Sequence, residues 1–499
     1  MRLALVRTYQ PTRVDDLAHP LGIMSLDAYL RARGFDDIHL FDMRLAKETP
    51  AQACRRILAT RPDVVGLSGL TIEREAIHAL SRLLKEAAPG VVTVLGGPYA
   101  TSSARSVMAD ASVDYVVRGE GEETLHELLE ALAHGGDVAR VDGLIYRRDG
   151  AVHETSPRAR LADIDALPIP SWDRIDMAAY ERFDSMERLT GGRWAVISTS
   201  RGCPFRCTYC HDVFGKKFRA RSPERVIEEM ELLITRYGVT SFQIYDDIFN
   251  FNKQRVLEIC RRIQAKGWKI DLQFPNGVRA DMMDLETLTA MKAAGTYRVS
   301  FAIESASPRI QRQIKKHLKI EKVRALIEDT DRLGIMVHGF FMLGFPGETR
   351  EEIDATVRFA LTSKLHTAAF FLVTPFEGSP LADAYVDPAK ALHGPRFNYY
   401  DAPHELSEVP AAELKRIQRD AYLRFYLDPR RVARFVELLP RKRALLKLMP
   451  IFLKLVTGAA PMPGAEASSF DHGPASPVPV EATPAPSPPP DRRRRLPQV

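Results

Sequence analysis

The chain has 499 residues, 45% of them hydrophobic and 27% charged, with a formal net charge of +6. That is the composition of a globular protein too long for one core, and so small a charge excess argues against nucleic acid as a partner. Five cysteines, three of them within eight residues, are no disulfide framework; reduced, metal-binding thiols are the expectation.

The opening MRLALVRTYQP is broken by Arg7 and Pro11, too short for a signal-peptide core or a membrane span, so the expected compartment is the cytoplasm. Residues 1–150 alternate short β-branched runs (3–7, 38–42, 64–68, 91–95 and 115–118) with stretches of helical period. This α/β rhythm predicts a doubly wound, Rossmann-like domain with a parallel sheet. Residues 142–150 read as two short strands around a turn, and 151–190 as a linker punctuated by Leu167-Pro168-Ile169-Pro170-Ser171-Trp172. Over 191–400 a second series sets strands at 195–199, 241–246, 269–274, 298–303, 336–343 and 369–374, each followed by a helix. Six repeats in this length fit a partial (β/α)6 barrel, with chemistry at the carboxyl ends of the strands. A helical region is expected at 401–458. Within it 434–456 mixes leucine and phenylalanine with Arg441, Lys442, Arg443, Lys447 and Lys454, either as short helices packed on the barrel or as a peripheral membrane contact. The tail 459–499, rich in proline, alanine and serine and carrying Arg492 to Arg495, cannot build a core and is expected to be disordered.

Arg201-Gly202-Cys203-Pro204-Phe205-Arg206-Cys207-Thr208-Tyr209-Cys210 follows the first barrel strand and presents three thiols on one tight loop. Thiolates hold iron-sulfur clusters, and three of them on a four-iron cubane leave one iron open to a small chelating molecule. A zinc site of the three cysteines and His211 is the alternative, but structural zinc usually draws its ligands from two separate loops. Cys54 and Cys260 lie in helical patterns and read as buried apolar residues.

The spacing, with Tyr209 just before the last cysteine, resembles the signature of the radical S-adenosylmethionine (SAM) superfamily, which implies a 4Fe-4S cluster on Cys203, Cys207 and Cys210 and SAM on its open iron. By the same resemblance Tyr209 belongs to the SAM site. Asp246 and Asp247, in Tyr245-Asp246-Asp247, take the place of a Gly-Gly-Glu-like motif that binds the SAM amino group, their alternative being to cap the next helix. Phe301-Ala302-Ile303-Glu304-Ser305 is similar to the family's Gly-Ile-Glu-Ser, which assigns Glu304 and Ser305 to the SAM ribose and carboxylate. Gly344-Phe345-Pro346-Gly347-Glu348-Thr349 would line adenine, while Asn276 and Arg279 are active-site polar groups without an assigned role.

In the first domain, Gly66 to Thr71, Leu95-Gly96-Gly97-Pro98 and Arg118-Gly119-Glu120-Gly121-Glu122 place glycines at strand ends, where such sheets bind ligands. Ahead of this barrel they resemble the cobalamin-binding domain of the cobalamin-dependent branch, and the resemblance assigns Ser68, Gly96, Gly97, Pro98, Arg118, Gly119 and Glu120 to cobalamin. His39 lacks the glycine of the cobalt-ligating motif and sits on a predicted strand, so it is not read as a cobalt ligand. No Gly-x-Gly-x-x-Gly follows the first strand, which disfavours a nicotinamide cofactor.

The resemblance implies an enzyme that reductively cleaves SAM to a 5′-deoxyadenosyl radical and, with cobalamin, methylates an unactivated carbon of a small-molecule or lipid-like substrate, drawing electrons from a flavodoxin or ferredoxin. The alternatives are a cobalamin-dependent oxidative cyclase or rearrangement and, from another class, a non-catalytic corrinoid sensor. A methylthiotransferase is excluded, because its second cluster needs three further cysteines and only Cys54 precedes the barrel.

Overall fold

A computed structural model describes residues 1–10, 17–181, 189–386 and 405–439. The expected disordered tail and most of the basic stretch 434–456 lie outside the described residues.

The first sheet contains β1 (Leu3–Arg7), β2 (Ile38–Asp42), β3 (Val64–Ser68), β4 (Val92–Gly96), β5 (Tyr115–Val117), β6 (Leu144–Arg148) and β7 (Ala151–Glu154), in the order β2-β1-β3-β4-β5-β6-β7. The first five are parallel, and β6 and β7 add an antiparallel margin. Alternate residues of β1 enter opposite cores, Leu3 and Leu5 on one face and Ala4 and Val6 on the other. Both faces are thus covered, which is why these strands read as unbroken apolar runs. The strand order reverses between β1 and β3, and at such a switch point the connecting loops part to leave a ligand crevice. The sheet also runs past the expected boundary at residue 150, through β7.

The linker that follows is packed rather than slack. Trp172 is 1% exposed and donates its indole N–H to Glu229 at 3.0 Å, and Ser171 hydrogen-bonds the Met24 carbonyl, so this segment joins the first domain to the barrel helix Pro223–Tyr237.

Six parallel strands make the second sheet: β8 (Arg193–Ile197), β11 (Val239–Ile244), β12 (Asp271–Val278), β13 (Thr296–Glu304), β14 (Met336–Leu343) and β15 (Thr367–Leu372), neighbours in that sequence. Between β8 and β11 stand β9 (Ser200–Arg201) and β10 (Arg219–Ala220), a two-stranded antiparallel pair that brackets the cysteine loop. Residues such as Phe242, Phe274, Phe301, Val337 and Phe370 face the helices in one core. The alternate positions of β11 to β14 include the buried polar side chains Gln243, Gln273, Arg298, Ser300 and His338.

An open barrel leaves β15 as an edge. The helix Ala411–Tyr426 covers it by side-chain hydrogen bonds to the strand's backbone: Gln418 donates to the Phe370 carbonyl at 2.6 Å, and the Tyr422 and Tyr426 hydroxyls accept from the Phe370 and Ala368 amides at 2.9 and 3.1 Å. These polar side chains do for the edge what a seventh strand would. No helix of the described residues is long and apolar enough to cross a membrane.

Candidate active site

The cysteine loop folds back on itself. Gly202 has φ +84°, and a Cβ there would stand 2.4 Å from the Lys217 carbonyl oxygen, so only glycine lets the chain enter the loop beside its own exit. The Cys203 amide donates to the Gly215 carbonyl at 3.2 Å, and the Cys210 amide to that of Cys207 at 3.2 Å. Thr208 pins the middle, donating to Ile314 and accepting from Leu381. Phe205 is capped by the Arg279 guanidinium, 3.6 Å from its ring centre, and Arg279 is itself held by Asn250. Arg279 thus supports the loop, while Asn276 is exposed.

Burial pushes the Cys203 and Cys210 thiols up, Cys210 to about 12, against the Phe205 amide at Cys203 and Lys216 at both; the neighbouring Cys207 raises both further. Among the described residues, no three His, Cys, Asp or Glu side chains are set to hold a single ion, and His211 is exposed. That geometry does not fit mononuclear zinc, which needs its ligands on one point. A cubane is broader and takes thiols set around it.

Facing the loop is the end of β13. Glu304 is buried with φ +67°, a strained conformation for a non-glycine residue, and its Oε1 accepts from the Tyr209 hydroxyl at 3.1 Å and from Lys316 Nζ at 2.9 Å. Lys316 also reaches the Tyr209 hydroxyl, at 3.0 Å. Burial, reinforced by the Glu304 charge, pushes the Tyr209 phenol well up, so it stays a proton donor. Sequence reasoning missed Lys316; the backbone offers a signal only in three dimensions, where Lys315 and His317 on either side have φ +55° and +60°.

Ser305 does not join this group. It is fully buried, its hydroxyl shared with Thr356 at 3.2 Å and accepting from the Ser307 amide, so it organises the start of the helix Pro308–Gln313. Asp246 is also buried in hydrogen bonds. Its two oxygens accept from the Thr199 amide, the Thr199 hydroxyl and the Ser200 hydroxyl at 2.6, 2.5 and 2.7 Å, fastening the end of β11 to the approach of the cysteine loop. Asp247 accepts only the Gly202 amide, at 3.1 Å, and is half-buried. Of the pair, Asp247 is the one that keeps access.

At the first domain's crevice, Gly97 has φ +82°, and a Cβ there would stand 2.5 Å from the Ser68 hydroxyl oxygen, so β3 and β4 meet with nothing between them. Gly96 and Pro98 flank this contact and lead into the helix Gly97–Ser102. Gly119 donates its amide to Thr101 on that helix at 3.0 Å. Arg118 is half-exposed and turned to Glu154 on β7. Glu120 accepts from Arg201 and Arg219, which flank the cysteine loop, each at 2.7 Å.

Two family models match, "Radical SAM superfamily" over 197–360 and "B12 binding domain" over 12–129. An uncharacterized methyltransferase of Pyrococcus horikoshii is 32% identical over 82% of this chain and 88% of its own. The chain belongs to the cobalamin-dependent radical SAM enzymes. Cytidylyl-2-hydroxyethylphosphonate methyltransferase of Streptomyces wedmorensis is 32% identical over 66% of this chain and 69% of its own, and the anaerobic magnesium-protoporphyrin IX monomethyl ester cyclase of Rubrivivax gelatinosus 26% over 82% and 74%. The radical SAM methyltransferase TsrM of Kitasatospora setae, solved with cobalamin and a 4Fe-4S cluster, shares the fold at a TM-score of 0.63 and 20% identity, over 78% of this chain and 76% of that one.

The family's cofactors are a 4Fe-4S cluster, SAM and cobalamin, and the residues fit them. Three thiols share one closed loop, the Lys316 cation and the Glu304 and Asp247 carboxylates stand beside it, and at the carboxyl ends of β3 and β4 the turn at Gly97 packs directly on the Ser68 hydroxyl.

Proposed function

We propose that this cobalamin-dependent radical SAM enzyme is a C-methyltransferase acting on an unactivated carbon of a small-molecule or lipid-like substrate. What carries the reading is the direct junction of the first domain's strand-end turn with the cysteine hairpin, through Glu120 and Arg201, in a chain whose relatives at 32% identity are named methyltransferases. The cofactors, when bound, supply the electron, the radical and the methyl group.

The protein's own part is to orient and to seal. Cys203, Cys207 and Cys210 hold the cluster. Lys316 offers a buried cation to the SAM carboxylate, Asp247 an acceptor to its amino group, and the remaining Glu304 oxygen an acceptor to a ribose hydroxyl. Tyr209, donating to Glu304, fixes that carboxylate's direction. Ser68, Gly96, Gly97, Pro98 and Gly119 line the face given to cobalamin. A flavodoxin or ferredoxin is the electron donor.

The cyclase relative supports a second reading, radical chemistry without methyl transfer. Anaerobic protein loaded with cobalamin and given methyl-labelled SAM and a strong reductant, which reduces both the cluster and the cobalamin, separates the two without a known substrate. The methyltransferase reading expects label on the cobalamin; 5′-deoxyadenosine with no labelled cobalamin favours the cyclase.

A further inference from the structure

The turn Gly119-Glu120-Gly121-Glu122 carries two buried acids, and both are spent on the barrel. Arg201 Nη1 donates to Glu120 at 2.7 Å and its Nη2 to Glu122 at 2.6 Å, while Arg219 Nη1 donates to the other Glu120 oxygen at 2.7 Å. Arg219, Glu120 and Glu122 are only 3%, 5% and 5% exposed, so solvent screens these pairs little. Arg201 is the only residue of β9 within this network and Arg219 opens β10, so the acids grip both strands that bracket the cysteines. The grip continues into the loop: Arg219 Nη2 donates to the Phe214 carbonyl at 2.9 Å, and Arg160, from the segment after β7, donates to the Val213 carbonyl at 2.5 Å.

We infer that Glu120 and Glu122 are positioning residues that fix the cysteine loop against the first domain, rather than ligands of cobalamin. Two carboxylates committed to three guanidinium N–H donors and the Leu161 amide have little left to offer a cofactor, and the forked guanidinium of Arg201 can bridge both acids where a lysine could not. Loosening the fork frees the hairpin, and with it Tyr209, from its register with Glu304 and Lys316. The inference rests on the reading of this loop as the cluster's holder.

The test uses the full chain, anaerobically reconstituted, as wild type, Arg201→Lys and Glu120→Gln/Glu122→Gln. Both variants are expected to bind aqua-cobalamin as the wild type does by absorption, yet to bind SAM at least about tenfold more weakly in a titration followed by the paramagnetic resonance of the reduced cluster. Amide exchange on cluster-free protein is expected to rise over 202–218 and stay unchanged over β1 to β5. Loss of cobalamin binding with cluster and SAM binding intact would overturn the inference, as would unchanged exchange over the loop. A wild type that assembles no cluster defeats the proposed function instead, while the exchange experiment still judges the clamp. Should the double variant fail to fold, Arg201→Lys alone decides.

Discussion

Tyr209 donates its hydroxyl hydrogen bond to Glu304 over 3.1 Å, linking the residue beside the last cysteine to the end of the fourth barrel strand. Lys316 completes a triangle with both, and the three stand where the cysteine loop faces the barrel mouth. Removing the lysine leaves Glu304 buried without its cation, and removing the glutamate's charge leaves the lysine in the same position. Lys316→Ala and Glu304→Gln are each expected to weaken SAM binding about 10- to 100-fold, some 1.4 to 2.8 kcal/mol, while the cluster still assembles. Titration of SAM against the cluster's spectrum checks this, and unchanged affinity in both variants would remove the triangle from the site.

The two neighbouring aspartates should part company. Asp246 satisfies three donors in a fully buried setting and lies near Arg255, and burial pushes its carboxyl up against those stabilising contacts. Asp246→Ala is expected to cost about 3–5 kcal/mol of barrel stability, seen as a lowered melting temperature. Asp247→Asn, which has one backbone partner, should melt near the wild type but bind SAM more weakly. The reverse pattern would reassign the pair.

Glu348 makes the loop after β14 sensitive to pH. Its Oε2 accepts the Gly344 and Phe345 amides at 2.8 and 3.0 Å, yet burial dominates and pushes the carboxyl from 4.5 up to about 7. The fold therefore prefers the protonated acid. Its penalty is absent below about 4.5, grows as pH rises and is complete above about 7, so stability falls through that window. Glu348→Gln keeps an oxygen for both amides and cannot ionise, and thermal melts from pH 5 to 8 are expected to flatten relative to the wild type.

The strands and the cysteine loop were legible because their signals are local. Leu3 to Arg7 is an apolar run buried on both faces, and Cys203, Cys207 and Cys210 lie within eight residues. What the sequence hid depends on partners far along the chain. Glu120 sits in a glycine-rich turn of the kind that receives ligands, and only the fold brings Arg201, 81 residues away, onto it. Asp246 and Ser305 occupy motif positions, but Thr199 and Thr356, 47 and 51 residues distant, absorb their hydrogen bonds. Lys316 follows Glu304 by 12 residues, on a loop whose left-handed turns no local residue type announces.

The central claim is that the three cysteines hold a cluster that opens SAM. The most direct measurement is the yield of 5′-deoxyadenosine and methionine from anaerobically reconstituted protein with SAM and a strong reductant. The account predicts both products in equal amounts from the wild type and none from the Cys203→Ala, Cys207→Ala, Cys210→Ala triple variant. A wild type with a full complement of iron and sulfide that forms no 5′-deoxyadenosine would contradict it.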